Sequence, residues 1–215
     1  MRTMAAVPAK DLENAKQRLA QVLAPDERRA LARAMLEDVL DALLEAGLDG
    51  VFVVTRDPEV IALALRFQVA ILEEAEGRSH TEAVALAQRV AAECSAQRFL
   101  TIPGDVPQVT AQEIAALVGA APPGPGVVLV PSRSGFGTNG ALLSPPDVIR
   151  LKFGEPSFAN HLIAARRGGL DPVVLQLPGL GLDIDAPEDL RALLESGRST
   201  RSSDLLRALG VEGRL

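Results

Sequence analysis

The feature that most limits this chain is a succession of very short, unbroken apolar runs set between longer stretches with helical spacing. Val51-Phe52-Val53-Val54 is the clearest run, too short for a helix and bounded by Gly50 and by Asp57-Pro58. Such a run suits a strand buried on both faces. Comparable runs occur at 3–7, 69–72, 98–102 and 127–130. Between the first two, Leu31, Met35, Leu36, Val39, Leu40 and Leu43 recur at helical spacing from Pro25 to Glu45, and Gly47 closes the segment. A further helix is expected at 59–66. Ser79 precedes Glu82, and Thr110 precedes Glu113, at the spacing of a capping box, so helices are expected over 83–94 and from Thr110 to about Val118. Strand and helix thus alternate. The pattern predicts an α/β chain: a single three-layer α/β/α domain with a mostly parallel central sheet.

Beyond residue 130 the pattern loosens. The stretch 132–140 is glycine-rich, 141–143 is strand-like, and 157–168 reads as a helix. The last expected strand is 172–177 and the last strong helix 186–194. Residues 196–203 are polar and are expected to form a loose tail, with a short helix at 204–209. The expected division is therefore a domain over 1–195 and a C-terminal tail over 196–215, consistent with the room that 215 residues give.

Charge and composition remove several functions. With 22 Lys and Arg against 28 Asp and Glu the net charge is −6, a field that does not favour a nucleic-acid polyanion. Six Phe, with neither Tyr nor Trp, leave no ladder of rings on which bases would stack. One cysteine, Cys94, excludes an intrachain disulfide framework and fits a small core residue in a reducing compartment, so a cytoplasmic protein is expected. No apolar run approaches the ~20 residues of a membrane span. With two histidines and one cysteine, a structural zinc site is not expected. Any metal should be a hard ion such as magnesium on carboxylates.

Four stretches can carry chemistry. Pro8-Ala9-Lys10, with Lys16 and Arg18, follows the first strand, and three cations at a strand's C-terminal end can neutralise a triphosphate. A solvated basic helix would look the same, and no Gly-x-x-x-x-Gly-Lys loop is present. Gly104-Asp105-Val106-Pro107 follows the strand at 98–102; its carboxylate can hold magnesium, or it can make an Asx turn. Asp183-Ile184-Asp185 alternates just before a helix start, so at least one of the two acids can serve as a cap. Gly137-Thr138-Asn139, together with Phe153-Gly154 and Ser157, can present backbone N–H groups and a helix N-terminus to an anion, or be a turn and an ordinary cap. His161 reads as a packed histidine.

In their order along the chain, these pieces resemble the 2-phospho-L-lactate and phosphoenolpyruvate guanylyltransferase family of coenzyme F(420) biosynthesis. Ala15-Lys16-Gln17-Arg18-Leu19, Ala34–Leu40 and Asp183–Leu190 extend the likeness to about Leu194. The resemblance implies a nucleotide-diphospho-sugar transferase fold of the GT-A, Rossmann-like type. It implies GTP as co-substrate, magnesium as cofactor, and transfer of GMP to a phosphorylated three-carbon acid: phosphoenolpyruvate, 2-phospho-L-lactate or 3-phospho-D-glycerate.

Carried over by position, Asp105, Asp183 and Asp185 would hold the metal. Lys10, Lys16 and Asp105 would be catalytic. Pro8, Lys10, Lys16, Arg18 and Gly104 would bind the nucleotide, and Thr138, Asn139, Gly154 and Ser157 the acceptor. The sequence Ser79-His80-Thr81-Glu82 stands where relatives commonly show Leu-Asn; there Glu82 can accept the guanine N1 and N2 donors, or simply close its capping box. The implied partners are small molecules, with neither nucleic acid nor membrane, and a homodimer passing its product to the next enzyme is compatible with the family. A molybdenum-cofactor nucleotidyltransferase shares the Gly-Asp-x-Pro element, and a non-catalytic nucleotide-binding protein of the same fold is the alternative from another class.

Overall fold

In a computed structural model of the chain, which describes residues 1–73, 79–154 and 156–215, seven strands form one sheet in the order β3-β2-β1-β4-β6-β5-β7. The strands are β1 (Thr3–Pro8), β2 (Gly50–Thr55), β3 (Ala70–Glu73), β4 (Arg98–Thr101), β5 (Gly126–Pro131), β6 (Thr138–Ser144) and β7 (Val173–Val174). The helices are α1 (Pro25–Glu45), α2 (Pro58–Arg66), α3 (His80–Glu93), α4 (Ala111–Gly119), α5 (Ser157–Arg167), α6 (Pro178–Gly181), α7 (Pro187–Glu195) and α8 (Arg201–Ala208). The pairs β3–β2, β2–β1, β1–β4 and β5–β7 are parallel, and β6 runs antiparallel between β4 and β5. The expected mostly parallel three-layer sheet is therefore present.

The two-residue period of the strands divides the core into two layers. Ala5, Val7, Val51, Val53, Leu100, Val128 and Leu142 face the layer holding α1, α2, α4, α7 and α8. Met4, Ala6, Phe52, Val54, Phe99, Leu129 and Leu143 face α3 and α5. Because both faces are covered, the strands read as apolar throughout, and this is why the runs were legible.

Three regions differ from the sequence expectation. The sixth strand begins at Thr138, inside the stretch that reads as a glycine-rich loop. Gly140 permits this: a Cβ there would stand 2.9 Å from Leu180 and 3.1 Å from Leu117, so α6 and α4 lie against bare backbone. The last strand shrinks to Val173–Val174 at the sheet edge. The polar stretch after 196 is not loose. Thr200 caps α8, and the Asp38 carboxylate of α1 accepts from Arg201 N at 2.9 Å, Ser202 N at 3.0 Å and the Ser202 hydroxyl at 2.6 Å. Ser202 and Ser203 are fully buried. Their polarity, which reads as solvent exposure in sequence, is met by the tertiary bonds of Ser202 to Asp38 and by local bonds of Ser203 to Arg198 and Thr200. Among the described residues, no helix is long and apolar enough to cross a membrane.

Candidate active site

Adjacent parallel strands place their C-terminal loops side by side, and in an open sheet a ligand crevice forms where the strand order reverses between two neighbours. Here β1 and β4 are those neighbours, with Thr3 opposite Arg98 and Ala6 opposite Thr101. The loop after β1 carries Lys10, Lys16 and Arg18, and the loop after β4 carries Gly104 and Asp105. Between them opens a cavity of about 500 Å³, within the range typical of small-molecule sites. Pro8, Lys10, Lys16, Arg18, Gly104, Asp105 and Asp185 all line it. Leu12, Ala32, Met35 and Leu36 supply an aliphatic wall.

Lys16 organises the polar side. Its ammonium donates to Asp105 Oδ2 at 2.6 Å and to Asp185 Oδ1 at 2.8 Å, with its side chain only 9% exposed. Burial by itself would lower the lysine pKa; the two carboxylates overcome that and hold it well above the usual lysine value. The Lys16 backbone adopts φ 55°, a left-handed conformation uncommon outside glycine, and the double ion pair holds it there. The remaining segment is registered on Asp105 itself, since Ile184 N donates to Asp105 O at 3.0 Å. The acid that caps α7 is Asp189, which accepts from Asp185 N and Ala186 N, so Asp183 and Asp185 are both free of that duty.

Asp183 accepts from the Asn139 amide at 3.0 Å. Its pKa is raised, by burial first and then by the proximity of Asp105 and Asp185, against the pull of that hydrogen bond. The three carboxylates therefore share one neighbourhood, but they are not gathered around a common point: Lys16 stands between Asp105 and Asp185. Among the described residues no group of three His, Cys, Asp or Glu side chains is assembled at metal-holding distances. One observation does suit a hard cation. Asp105 Oδ1 is buried without a hydrogen-bond partner, an anionic oxygen with unused capacity beside two further acids.

The acceptor-side residues gather at the start of β6 and the N-terminus of α5. Thr138 Oγ1 lies 3.0 Å from His161 Nδ1 and 3.4 Å from Ser157 Oγ. Gly154 stands nearby in sequence with φ 106°, a conformation that favours glycine. The Asn139 amide nitrogen donates to Asp183 and to Gly181 O at 3.1 Å, so it ties β6 to the acidic segment.

Of the two sequence readings of Glu82, the geometry shows the capping box. Its carboxylate closes the capping box, accepting from Ser79 N at 2.7 Å and from the Ser79 hydroxyl at 2.9 Å, and it does not line the cavity. A helix-start carboxylate is drawn to the orphan N–H groups of its own first turn. His80, two positions earlier, lines the cavity instead. Burial lowers its pKa, Asp105 pulls the other way, and Lys10 adds to the lowering. Sequence reasoning assigned His80 no role; the one available signal was its place at the first residue of a helix whose N-terminus faces the strand ends.

His80, Phe153 and His161 form a chain of edge-on rings, with centroids 4.5 Å and 5.1 Å apart. Thr81 Oγ1 accepts from Phe153 N at 2.9 Å, fastening the acceptor-side loop to α3. The two sides of the site are therefore in direct contact.

Residues 3–214 match the family described as "Guanylyl transferase CofC like". The phosphoenolpyruvate guanylyltransferase of Sphaerobacter thermophilus is 44% identical over 206 residues, covering 95% of this chain and 98% of that protein. The 2-phospho-L-lactate guanylyltransferase of Methanothermobacter thermautotrophicus is 34% identical, covering 97% and 92%. Among solved structures, a putative nucleotide-diphospho-sugar transferase from Desulfovibrio desulfuricans G20 superposes with a TM-score of 0.81 at 17% identity, covering 100% of this chain and 99% of that one. A nucleotidyl transferase from Methanothermobacter thermautotrophicus gives 0.67 at 18% identity, covering 96% and 99%. At such identities these two show the fold.

Proposed function

The chain belongs to the CofC-like guanylyl transferase family and is a nucleotidyltransferase, and from that premise we propose that it transfers GMP from GTP to phosphoenolpyruvate with magnesium. The product would feed coenzyme F(420) synthesis. The observation that carries this reading is the cavity after β1 and β4, which joins three cations to Asp105, whose Oδ1 is buried and has no hydrogen-bond partner. Phosphoenolpyruvate is preferred among the acceptors because the relatives at 44%, 40% and 40% identity carry that name, while those named for 2-phospho-L-lactate reach 34%.

In the proposed reaction an oxygen of the acceptor phosphate attacks the α-phosphorus of GTP. The bond from that phosphorus to the bridging oxygen breaks, and pyrophosphate leaves with its electron pair. The attacking oxygen is already anionic, so no general base is required, and the rate comes from positioning and from charge neutralisation. Asp105, Asp183 and Asp185 would hold the magnesium, which when bound supplies Lewis-acid neutralisation of phosphate charge.

Lys16 is kept protonated by its acidic neighbours and stands where charge builds on the departing phosphates. Lys10 and Arg18 line the same wall and bind the outer phosphates. Thr138, Gly154 and Ser157 receive the acceptor. With neither Tyr nor Trp in the chain, the guanine rests against aliphatic walls.

The test is pyrophosphate release from GTP and magnesium with each of phosphoenolpyruvate, 2-phospho-L-lactate and 3-phospho-D-glycerate, repeated with ATP and CTP. Release confined to GTP with phosphoenolpyruvate is expected. Release with a different acid moves the acceptor assignment, and release with none of them overturns the reading.

A further inference from the structure

The buried hydrogen bonds around His161 fix a proton that the reaction scheme leaves unassigned. His161 is 1% exposed and lies on the first turns of α5. Its Nε2 receives the Lys152 backbone N–H at 2.9 Å. A backbone N–H can only donate, so Nε2 carries no proton, and the proton of the neutral ring sits on Nδ1. Nδ1 faces Thr138 Oγ1 at 3.0 Å and therefore donates to it. The Ser157 hydroxyl, at 3.4 Å, approaches the same oxygen as a second, longer donor.

A threonine hydroxyl has two lone pairs and one proton. With donors on the oxygen from His161 and Ser157, what Thr138 has left to offer is its proton. Among the described residues no acceptor is paired with that proton.

We propose that His161 is a positioning residue that makes Thr138 a donor-only group, so that the acceptor subsite is built for an oxyanion and is poorly matched to a neutral hydroxyl or amide donor at that point. This rests on the reading of Thr138 and Ser157 as the acceptor side. The same ring also braces the loop that leads to Gly154, because the Lys152 N–H that it accepts belongs to the residue before Phe153. One side chain thereby sets both the proton direction at Thr138 and the height of the loop beside it. Burial lowers the His161 pKa to about 4, so the neutral form required by this arrangement persists through the physiological range.

Two conservative variants separate the ring's two hydrogen bonds. Asparagine reaches about as far as Nδ1 and can still donate to Thr138, but cannot reach Lys152; glutamine reaches about as far as Nε2 and can accept from Lys152, but leaves Thr138 without its donor. For His161→Asn the KM for phosphoenolpyruvate is expected within about threefold of wild type, and for His161→Gln raised about tenfold or more. In both, the KM for GTP should change little. Equal KM effects in the two variants, or effects that fall on kcat and the GTP KM, would overturn the proposal.

Phosphoenolpyruvate affinity is read in parallel by calorimetry with magnesium and a non-hydrolysable GTP analogue. A wild type that binds the acid but transfers nothing sinks the transfer reading and leaves the comparison of variants intact; a wild type that binds none of the acid overturns the role of His161. Independently of activity, ¹⁵N–¹H correlation of the histidine rings should show His161 protonated at Nδ1 alone near neutral pH. A proton on Nε2 would refute the arrangement directly.

Discussion

At the mouth of β1 and β4 an ammonium is buried between two carboxylates, whereas at the mouth of β6 the buried polar groups are neutral: an imidazole, two hydroxyls and a backbone N–H. The two sides touch through His80 and Phe153, yet they are kept in shape by different physics. Ion pairs act over several ångströms and tolerate some displacement, so the first side can exchange one cation for another as phosphates and metal arrive. Neutral hydrogen bonds are short and directional. The second side is therefore set in advance, with a fixed tautomer and a fixed hydroxyl. The contrast fits a site in which one region adapts to changing charge while the other selects a small, rigid acid.

The largest test of this contrast is Asp105→Asn. If the charged side carries the phosphate chemistry, guanylyl transfer should fall about 10²- to 10³-fold, while His161→Asn stays within severalfold. Steady-state rates decide it, with circular dichroism to confirm that both variants fold. An unaffected Asp105→Asn would reduce the charged side to a structural ion pair.

The neutral side should reveal itself through pH. The folded pKa of His161, about 4, lies below the ordinary histidine value of 6.5. Between those values the unfolded chain binds the extra proton, so the stability from this group is complete above about pH 6.5. It is lost as pH falls toward 4, amounting to about 3 kcal/mol in all. Urea unfolding of wild type and His161→Asn over that window should give different slopes; identical slopes would show that the ring is not held neutral.

Next is the brace behind the charged side. Asp38 anchors α8 onto α1, the helix whose Met35 and Leu36 line the cavity. Asp38→Ala removes three hydrogen bonds at the start of α8 and should cost about 2 kcal/mol in urea unfolding, with earlier proteolytic cleavage after 196. The smallest effect is expected from Gly154→Ala. Among the described residues, no atom beyond its chain neighbours lies within 4 Å of the added Cβ, so the backbone at φ 106° resists it, at about 1 kcal/mol. A much larger loss would mean that the neutral side is more tightly packed than the charged one.

Much of the cavity could be read from sequence because its residues follow strands that announce themselves. Lys16, Asp105 and Asp185 lie 89 and 169 positions apart in their pairings, but each follows or precedes a recognisable element. Glu82 closes its capping box for a local reason legible in sequence: a carboxylate at that spacing satisfies its own helix start. His80 and His161 were legible only as residue types. Beyond the place of His80 at a helix start, nothing along the chain says that its ring faces the cavity or that His161 accepts a backbone N–H nine residues away.

What the sequence determined by itself is the layered α/β frame, because strands buried on both faces must be apolar at every position and helices must be apolar at every third or fourth. Tertiary structure alone decided the proton on His161 and the pairing of Asp38 with Ser202. A hydrogen bond depends on direction and on what lies across from a group once the chain is packed, and polar side chains written one after another carry no record of either.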